Sequence, residues 1–194
     1  KTNHDYTNPT YGTGSISGVS GRGFAPAKDS KALLGTESQS LIFCENSRLT
    51  AGYGVARAVR EDEQVSGDNF SFQMLDNGCC VMAVSDGMGS GYAACKESEM
   101  VIDLIEKFME AGFLPDTALR MMNSAMVTHG EHNLFSTVDL MRLDLDSGEA
   151  AFYKIGAATT FIRHGKEVRM VTQKSMPVGV FVGQQVPKVT EQLA

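Results

Sequence analysis

Between Val81 and Gly91 the chain reads Val-Met-Ala-Val-Ser-Asp-Gly-Met-Gly-Ser-Gly, an apolar run ending on Asp86, with glycines at 87, 89 and 91. Hard divalent cations take oxygen ligands, and a carboxylate at the end of a buried strand holds one in a fixed place. Glycine lets the backbone bend sharply, so a neighbouring carbonyl can face the same cation. The glycines also leave room for a bulky substrate before a helix begins. Asp and Gly are common turn residues, and a glycine-rich strand-to-helix turn with Asp86 as its cap is the plainer reading. A second acid bears on the choice. Ser66-Gly67-Asp68 opens the preceding run, and Asp68 and Asp86 lie nine positions either side of Asn77. If the chain reverses at Asn77, both carboxylates fall at one end of a hairpin, where they share either a proton or a cation.

The elements that must position these acids can be read from periodicity. Phe70-Ser-Phe-Gln-Met alternates apolar and polar, the pattern of a half-buried strand, and Cys79–Val84 is continuously apolar, the pattern of a central one. Asp76-Asn-Gly between them predicts a hairpin turn, since Asn and Gly tolerate positive φ. The run around Tyr53-Gly-Val-Ala-Arg-Ala-Val59 also has the composition of a strand. From Tyr92 to Ala111 the period becomes helical: Ala94, Val101, Ile102, Leu104, Ile105, Phe108 and Met109 form an apolar stripe beside Lys96, Glu99, Asp103, Glu106 and Lys107. Gly112 follows the last turn and Pro115 suits the first turn of a second helix, to about residue 128, with Leu119, Met122 and Met126 on its apolar side. Core filling is the expected role of Met121, Met122 and Met126. Strands return at Val138–Leu145, Ala150–Ile155, Thr159–Arg163 and Val168–Thr172. Asp139 and Asp144 are expected to be structural, outward-facing residues of the first. Strands, two helices together and strands again predict an α+β fold with antiparallel sheets and a helical pair against one face.

Val65-Ser-Gly-Asp68, Ser85-Asp-Gly-Met-Gly-Ser-Gly91, Ser136-Thr-Val-Asp-Leu, Lys154-Ile-Gly-Ala-Ala-Thr-Thr-Phe-Ile and Met176-Pro-Val-Gly occur in that order. This set resembles the metal-dependent protein phosphatases of type 2C, above all the bacterial branch typified by stage II sporulation protein E. The resemblance covers about residues 50–193. It implies an α-β-β-α sandwich of antiparallel sheets with the metal site at one end. It further implies a two-metal site for Mn2+ or Mg2+, where an activated water attacks a phosphoserine or phosphothreonine in line. On the matching positions Asp86 would bridge both metals, the Gly87 carbonyl would bind one, and Asp68 would complete one side. Asp68 and Asp86 are thus the implied catalytic residues, and no substrate-binding residue is implied.

The resemblance also sets expectations about what is missing and who the partners are. The family continues past a segment like Glu191-Gln-Leu with a strand ending in Ser-Asp-Gly, a helix and a final strand with another acid. This chain ends at Ala194. The expectation is a domain lacking its C-terminal strands and helix, with weak metal binding and poor catalysis. The phosphate-binding arginine of the eukaryotic branch has no clear counterpart. By analogy the substrate is a phosphorylated bacterial regulatory protein of the anti-sigma-factor antagonist type. The helices at about Tyr92–Ala111 and Pro115–Thr128 match segments thought to switch the metal site, so a regulatory role is implied for them. The alternative is a catalytically inactive phosphatase fold used as a binding or regulatory module.

Other signals are weaker. Residues 1–40 contain a Gly/Ser-rich stretch with little apolar periodicity and are expected to be a linker or disordered tail, residues 41–194 being the phosphatase-like domain. Gly12 and Gly14 suggest a phosphate loop, but no strand precedes them and no Gly-Lys-Ser/Thr follows. His129 and His132 give one imidazole pair, short of what a zinc site needs. Cys44, Cys79, Cys80 and Cys95 form no C-x-x-C pair, which fits a reducing compartment. At 42% hydrophobic and 21% charged residues the composition is that of a globular protein with a core. A net charge of −6 argues against a nucleic-acid partner. No run approaches the ~18 apolar residues of a membrane span, and the N-terminus lacks the layout of a secretory signal. The expected location is cytoplasmic, with a membrane-anchored parent protein also compatible.

Overall fold

A computed structural model describes residues 9–26, 42–59, 61–128 and 135–193. The first described element is α1 (Pro9–Ser20), followed by β1 (Phe24–Pro26), which pairs antiparallel with β2 (Phe43–Glu45). Composition alone does not lead one to expect these elements in the stretch assigned to a linker. Gly12, Gly14 and Gly18 give α1 little intrinsic propensity. It is tied instead to its neighbours: the Ser17 hydroxyl accepts the Phe24 N–H at 3.3 Å, and Arg22 pairs with Glu45 at 3.0 Å.

The central sheet follows from two hairpins. β3 (Asp68–Met74) and β4 (Cys79–Asp86) are joined by a turn in which Gly78 has φ +73°. β5 (Val138–Asp144) and β6 (Glu149–Ile155) are joined by a turn closed by Asp144. Its Oδ1 accepts the N–H groups of Ser147 at 2.8 Å and Asp146 at 3.0 Å, and these bonds, Ser147's first, hold the carboxyl below its ordinary range. α2 (Gly91–Glu110) and α3 (Pro115–Thr128) lie between the hairpins in sequence. After β6 come the hairpin β7 (Thr160–His164) and β8 (Glu167–Val171), and then β9 (Lys188–Gln192). The five-stranded sheet has the order β3-β4-β5-β6-β9 and all its pairings are antiparallel.

The helical pair covers one face. Val101, Ile105, Leu119, Met122 and Met126 pack on Val81, Ala83, Leu140, Tyr153 and Ile155, so Met122 and Met126 are core residues, whereas Met121 lies on the outer side of α3, exposed, and does not fill the core. On the opposite face β7–β8 brings Val171 and Ile162 against Phe152, Met141 and Leu143. The layers among the described residues are therefore helices, sheet and a small second sheet, as the α+β reading expects. Cys79 and Cys80 are buried, and the Cys79 thiol receives a hydrogen bond from Arg142 at 2.8 Å.

Three local expectations need correction. Tyr53–Val59 is not a strand: no neighbouring strand among the described residues pairs with it, and it runs as irregular chain with the Tyr53 ring stacked on Phe72 at 4.4 Å. β3 is turned over relative to a simple half-buried strand. Its polar residues face α2, where Asn69 meets Ser98 at 2.8 Å and Ser71 meets Glu106 at 2.5 Å, while Phe70 is 42% exposed. Asp139 is not an outward solvated residue. It pairs with the fully buried Lys154, whose ammonium also lies 2.8 Å from the Thr160 hydroxyl, because a buried charge requires partners. No helix among the described residues is long and apolar enough to cross a membrane.

Candidate metal and phosphate site

The hairpin register places Asp68 directly opposite Asp86 at one end of the sheet. The Asp68 backbone N–H donates to the Ser66 hydroxyl at 3.2 Å, and that hydroxyl donates to Asp68 Oδ2 at 3.0 Å, so this carboxylate has a fixed orientation. Asp86 is held through its backbone. Its N–H donates to the Thr137 hydroxyl at 3.2 Å, and its carbonyl accepts from the Thr137 N–H at 2.9 Å and the Ser136 hydroxyl at 2.8 Å. Both Ser136 and its hydrogen-bonded neighbour Ser85 are fully buried. Desolvation raises the pKa of Asp86, and the charge of Asp68 and a hydrogen bond with it raise it further. In a metal-free state the ionised form of Asp86 is therefore disfavoured relative to a free carboxylate.

Gly87 owes its place to the approach of α2. A Cβ there would lie 2.0 Å from the carbonyl oxygen of Ala94, so the helix backbone passes where any side chain would sit. Gly87→Ala must push the start of α2 away, and overpacking against backbone falls at or above the usual 1–3 kcal/mol, about 3 kcal/mol here. Urea denaturation checks this; a loss below ~0.5 kcal/mol would contradict the close approach. Gly67 leaves the space that joins the groups. A Cβ on it would stand 3.4 Å from the Gly87 carbonyl oxygen and 3.8 Å from Asp86 Oδ1, so both oxygens border one small volume. The Gly67 carbonyl accepts the Gly87 N–H at 3.1 Å and the Ser98 hydroxyl at 2.5 Å, fastening this corner to α2.

Two carboxylates and an adjacent carbonyl are hard oxygen donors, and that set suits Mg2+ or Mn2+. Among the described residues no cluster of three or more His, Cys, Asp or Glu side chains is placed to hold an ion. His129 and His132 lie outside the described residues. Ser66, Ser136, Thr137 and Lys154 stand in the quoted motifs, but the motif reading gave them no role at this end of the molecule. Ser136 and Thr137 share a quoted box with Asp139, but their bonds to Asp86 cross 50 and 51 positions of sequence and carry no local signature.

A family model for stage II sporulation protein E (SpoIIE) matches residues 76–194, more than half of the chain. Stage II sporulation protein E of Priestia megaterium is 34% identical over 140 residues, which are 72% of this chain and 24% of that protein. The chain thus spans about a quarter of the length of this curated relative. A solved structure of the PP2C phosphatase domain and a fragment of the regulatory domain of SpoIIE from Bacillus subtilis covers 98% of this chain and 57% of its own, with 26% identity and a TM-score of 0.73. A structure of RsbX in complex with magnesium shares the fold over 70% of this chain and 64% of its own, at 20% identity and a TM-score of 0.58. The mixed antiparallel architecture, the order of its motifs and these likenesses agree, and the chain belongs to the stage II sporulation protein E family.

Proposed function

We propose that this chain carries a serine/threonine protein phosphatase centre, with Asp68, Asp86 and the Gly87 carbonyl as its metal-binding groups and Mn2+ or Mg2+ as the cation. The observation that supports it most is the register pairing of Asp68 with Asp86 beside the Gly87 carbonyl. A bound divalent pair would lower the pKa of a water and neutralise charge developing on the phosphoryl group. The chain's own residues do the rest. Ser66 orients the Asp68 carboxylate, and Ser136 and Thr137 fix the backbone from which Asp86 projects. The raised pKa of Asp86 lets a proton compete with the cation, so affinity for Mn2+ should weaken as pH falls.

The substrate is a phosphorylated regulatory protein of the anti-sigma-factor antagonist type. The test is phosphate release from such a phosphoserine protein by the full-length protein, with Mn2+, with Mg2+ and with chelator. Release that requires the cation is expected. A folded, full-length protein that releases no phosphate from several phosphoproteins would refute the proposal and turn the reading to an inactive binding module.

A further inference from the structure

We infer that Asn123 of α3 is a positioning residue for Asp86 and Gly87, acting through the loop at Ser175–Phe181; the inference rests on the phosphatase reading of that site. Asn123 is 4% exposed and is the polar side chain in the buried face of α3, otherwise lined by Pro115, Ala118, Leu119, Met122 and Met126. Both ends of its amide are used on the loop. Nδ2 donates to the Phe181 carbonyl at 2.9 Å and Oδ1 accepts the Gly179 N–H at 2.9 Å. An apolar side chain could fill the same space. Two bonds to residues two apart also fix how the loop is placed against the helix.

The loop is held as firmly on its other side. The Ser175 hydroxyl donates to the Lys154 carbonyl at 3.1 Å and accepts the Gly156 N–H at 2.9 Å. Gly156, at φ +64°, lets Pro177 approach until a Cβ would be 2.9 Å from its Cα. Val178, fully buried, then pairs with Ser136: its N–H donates to the Ser136 carbonyl at 2.9 Å, and the Ser136 N–H to its carbonyl at 3.4 Å. Ser136 bridges Gly87 on its far side and donates its hydroxyl to Asp86. From the amide of Asn123 to the backbone of the metal-binding residues there are only two intervening segments, Val178–Gly179 and Ser136–Thr137. Each link is a hydrogen bond, and removing groups that orient a metal ligand typically costs 10–100-fold in affinity.

Contact alone does not establish coupling, so the experiment measures it. In the full-length protein, Asn123→Leu removes both bonds with little change of volume. Asn123→Ala removes both bonds without adding volume or charge and serves if the first variant fails to fold. The expected result is about a tenfold rise in the Mn2+ Kd, a matching fall in kcat with unchanged KM for the phosphoprotein, and faster amide exchange at Asp86 and Thr137. Exchange at Phe152, in the middle of β6, should be unaltered. Combined with Ser136→Ala, the losses in Mn2+ affinity should be less than additive. A lowered unfolding midpoint with unchanged Mn2+ affinity and unchanged exchange at Asp86 and Thr137 would overturn the inference, as would additive losses. If the parent protein itself released no phosphate, the functional reading would fail, while the exchange rates would still decide the role of Asn123.

Discussion

Asp86→Asn is expected to abolish metal-dependent phosphate release and, at neutral pH, to raise the melting temperature of the metal-free protein. Both effects come from one carboxylate. Burial and the nearby Asp68 raise the pKa of Asp86 in the fold above the 3.8 of a free side chain. An acid with a raised folded pKa contributes its stability fully below the unfolded value and loses it as pH rises through the folded one. At neutral pH the ionised Asp86 is thus a cost of the metal-free fold, and asparagine of the same shape removes it. With cation bound the sign reverses, because Mn2+ binds the charged form and stabilises the native state by mass action. Melting curves from pH 4 to pH 8 should show the variant gaining on the parent as pH rises without Mn2+, and falling behind it with Mn2+. A variant that melts below the parent at neutral pH without metal would show that Asp68 and Asp86 do not oppose each other. Loss of phosphate release should reach at least about a hundredfold, the upper range for disturbed metal ligation; retention of a tenth of the activity would remove Asp86 from the centre.

The second large effect concerns the ion pair beneath the β7–β8 hairpin. Lys154 is fully buried, with its ammonium on Asp139 and the Thr160 hydroxyl, and Thr160 also donates to the Asp139 carboxylate. Removing one partner leaves an uncompensated buried charge, which costs about 3–5 kcal/mol. The Asp139 side chain is 24% exposed, so water can reach part of the pair and Asp139→Ala should fall near the lower bound, about 3 kcal/mol. Replacing both members by apolar residues, Lys154→Met with Asp139→Leu, should restore most of that loss, since neither charge then needs solvation. Urea unfolding of Asp139→Ala and of the double variant measures this directly. If Asp139→Ala costs less than ~1 kcal/mol, the pair behaves as a solvated surface bridge.

The local features of the fold were legible and the long-range ones were not. Asn77-Gly78 marked the turn that sets Asp68 against Asp86, and Gly112 and Pro115 marked the break between the two helices, because backbone freedom and its restriction are written in single residues. Phe70 and Phe72 showed the period of a strand but not its facing. The α2 surface against β3 is polar, with Ser98 and Glu106 as partners, and periodicity does not report the chemistry of a neighbour. Tyr53–Val59 has strand composition, yet strand structure requires a paired backbone and none of the described residues supplies it. Lys154 inside Ala-Ala-Phe-Tyr-Lys-Ile was the clearest missed signal: a lone charge in an apolar run calls for a partner, here Asp139 on the adjacent strand. Asn123 gave no such signal, since its partners lie 56 and 58 positions away in an irregular loop. At the site, the two acids were legible as a pair, whereas the serines and threonine that hold them were not.

The placement of both helices between β4 and β5 has a consequence for the order in which the molecule assembles. β3–β4 and β5–β6 each close across a short turn, but the seam joining them brings together residues such as Ser85 and Ser136, 51 positions apart. Closure entropy grows by about 0.6 kcal/mol per doubling of loop length, so this seam costs roughly 2 kcal/mol more to close than either hairpin. Asp86 lies on that seam, fastened to Thr137 across it. The β3–β4 hairpin can set Asp86 opposite Asp68 on its own, but Asp86 gains its hold on Thr137 only when the entropically dearest join of the sheet is made.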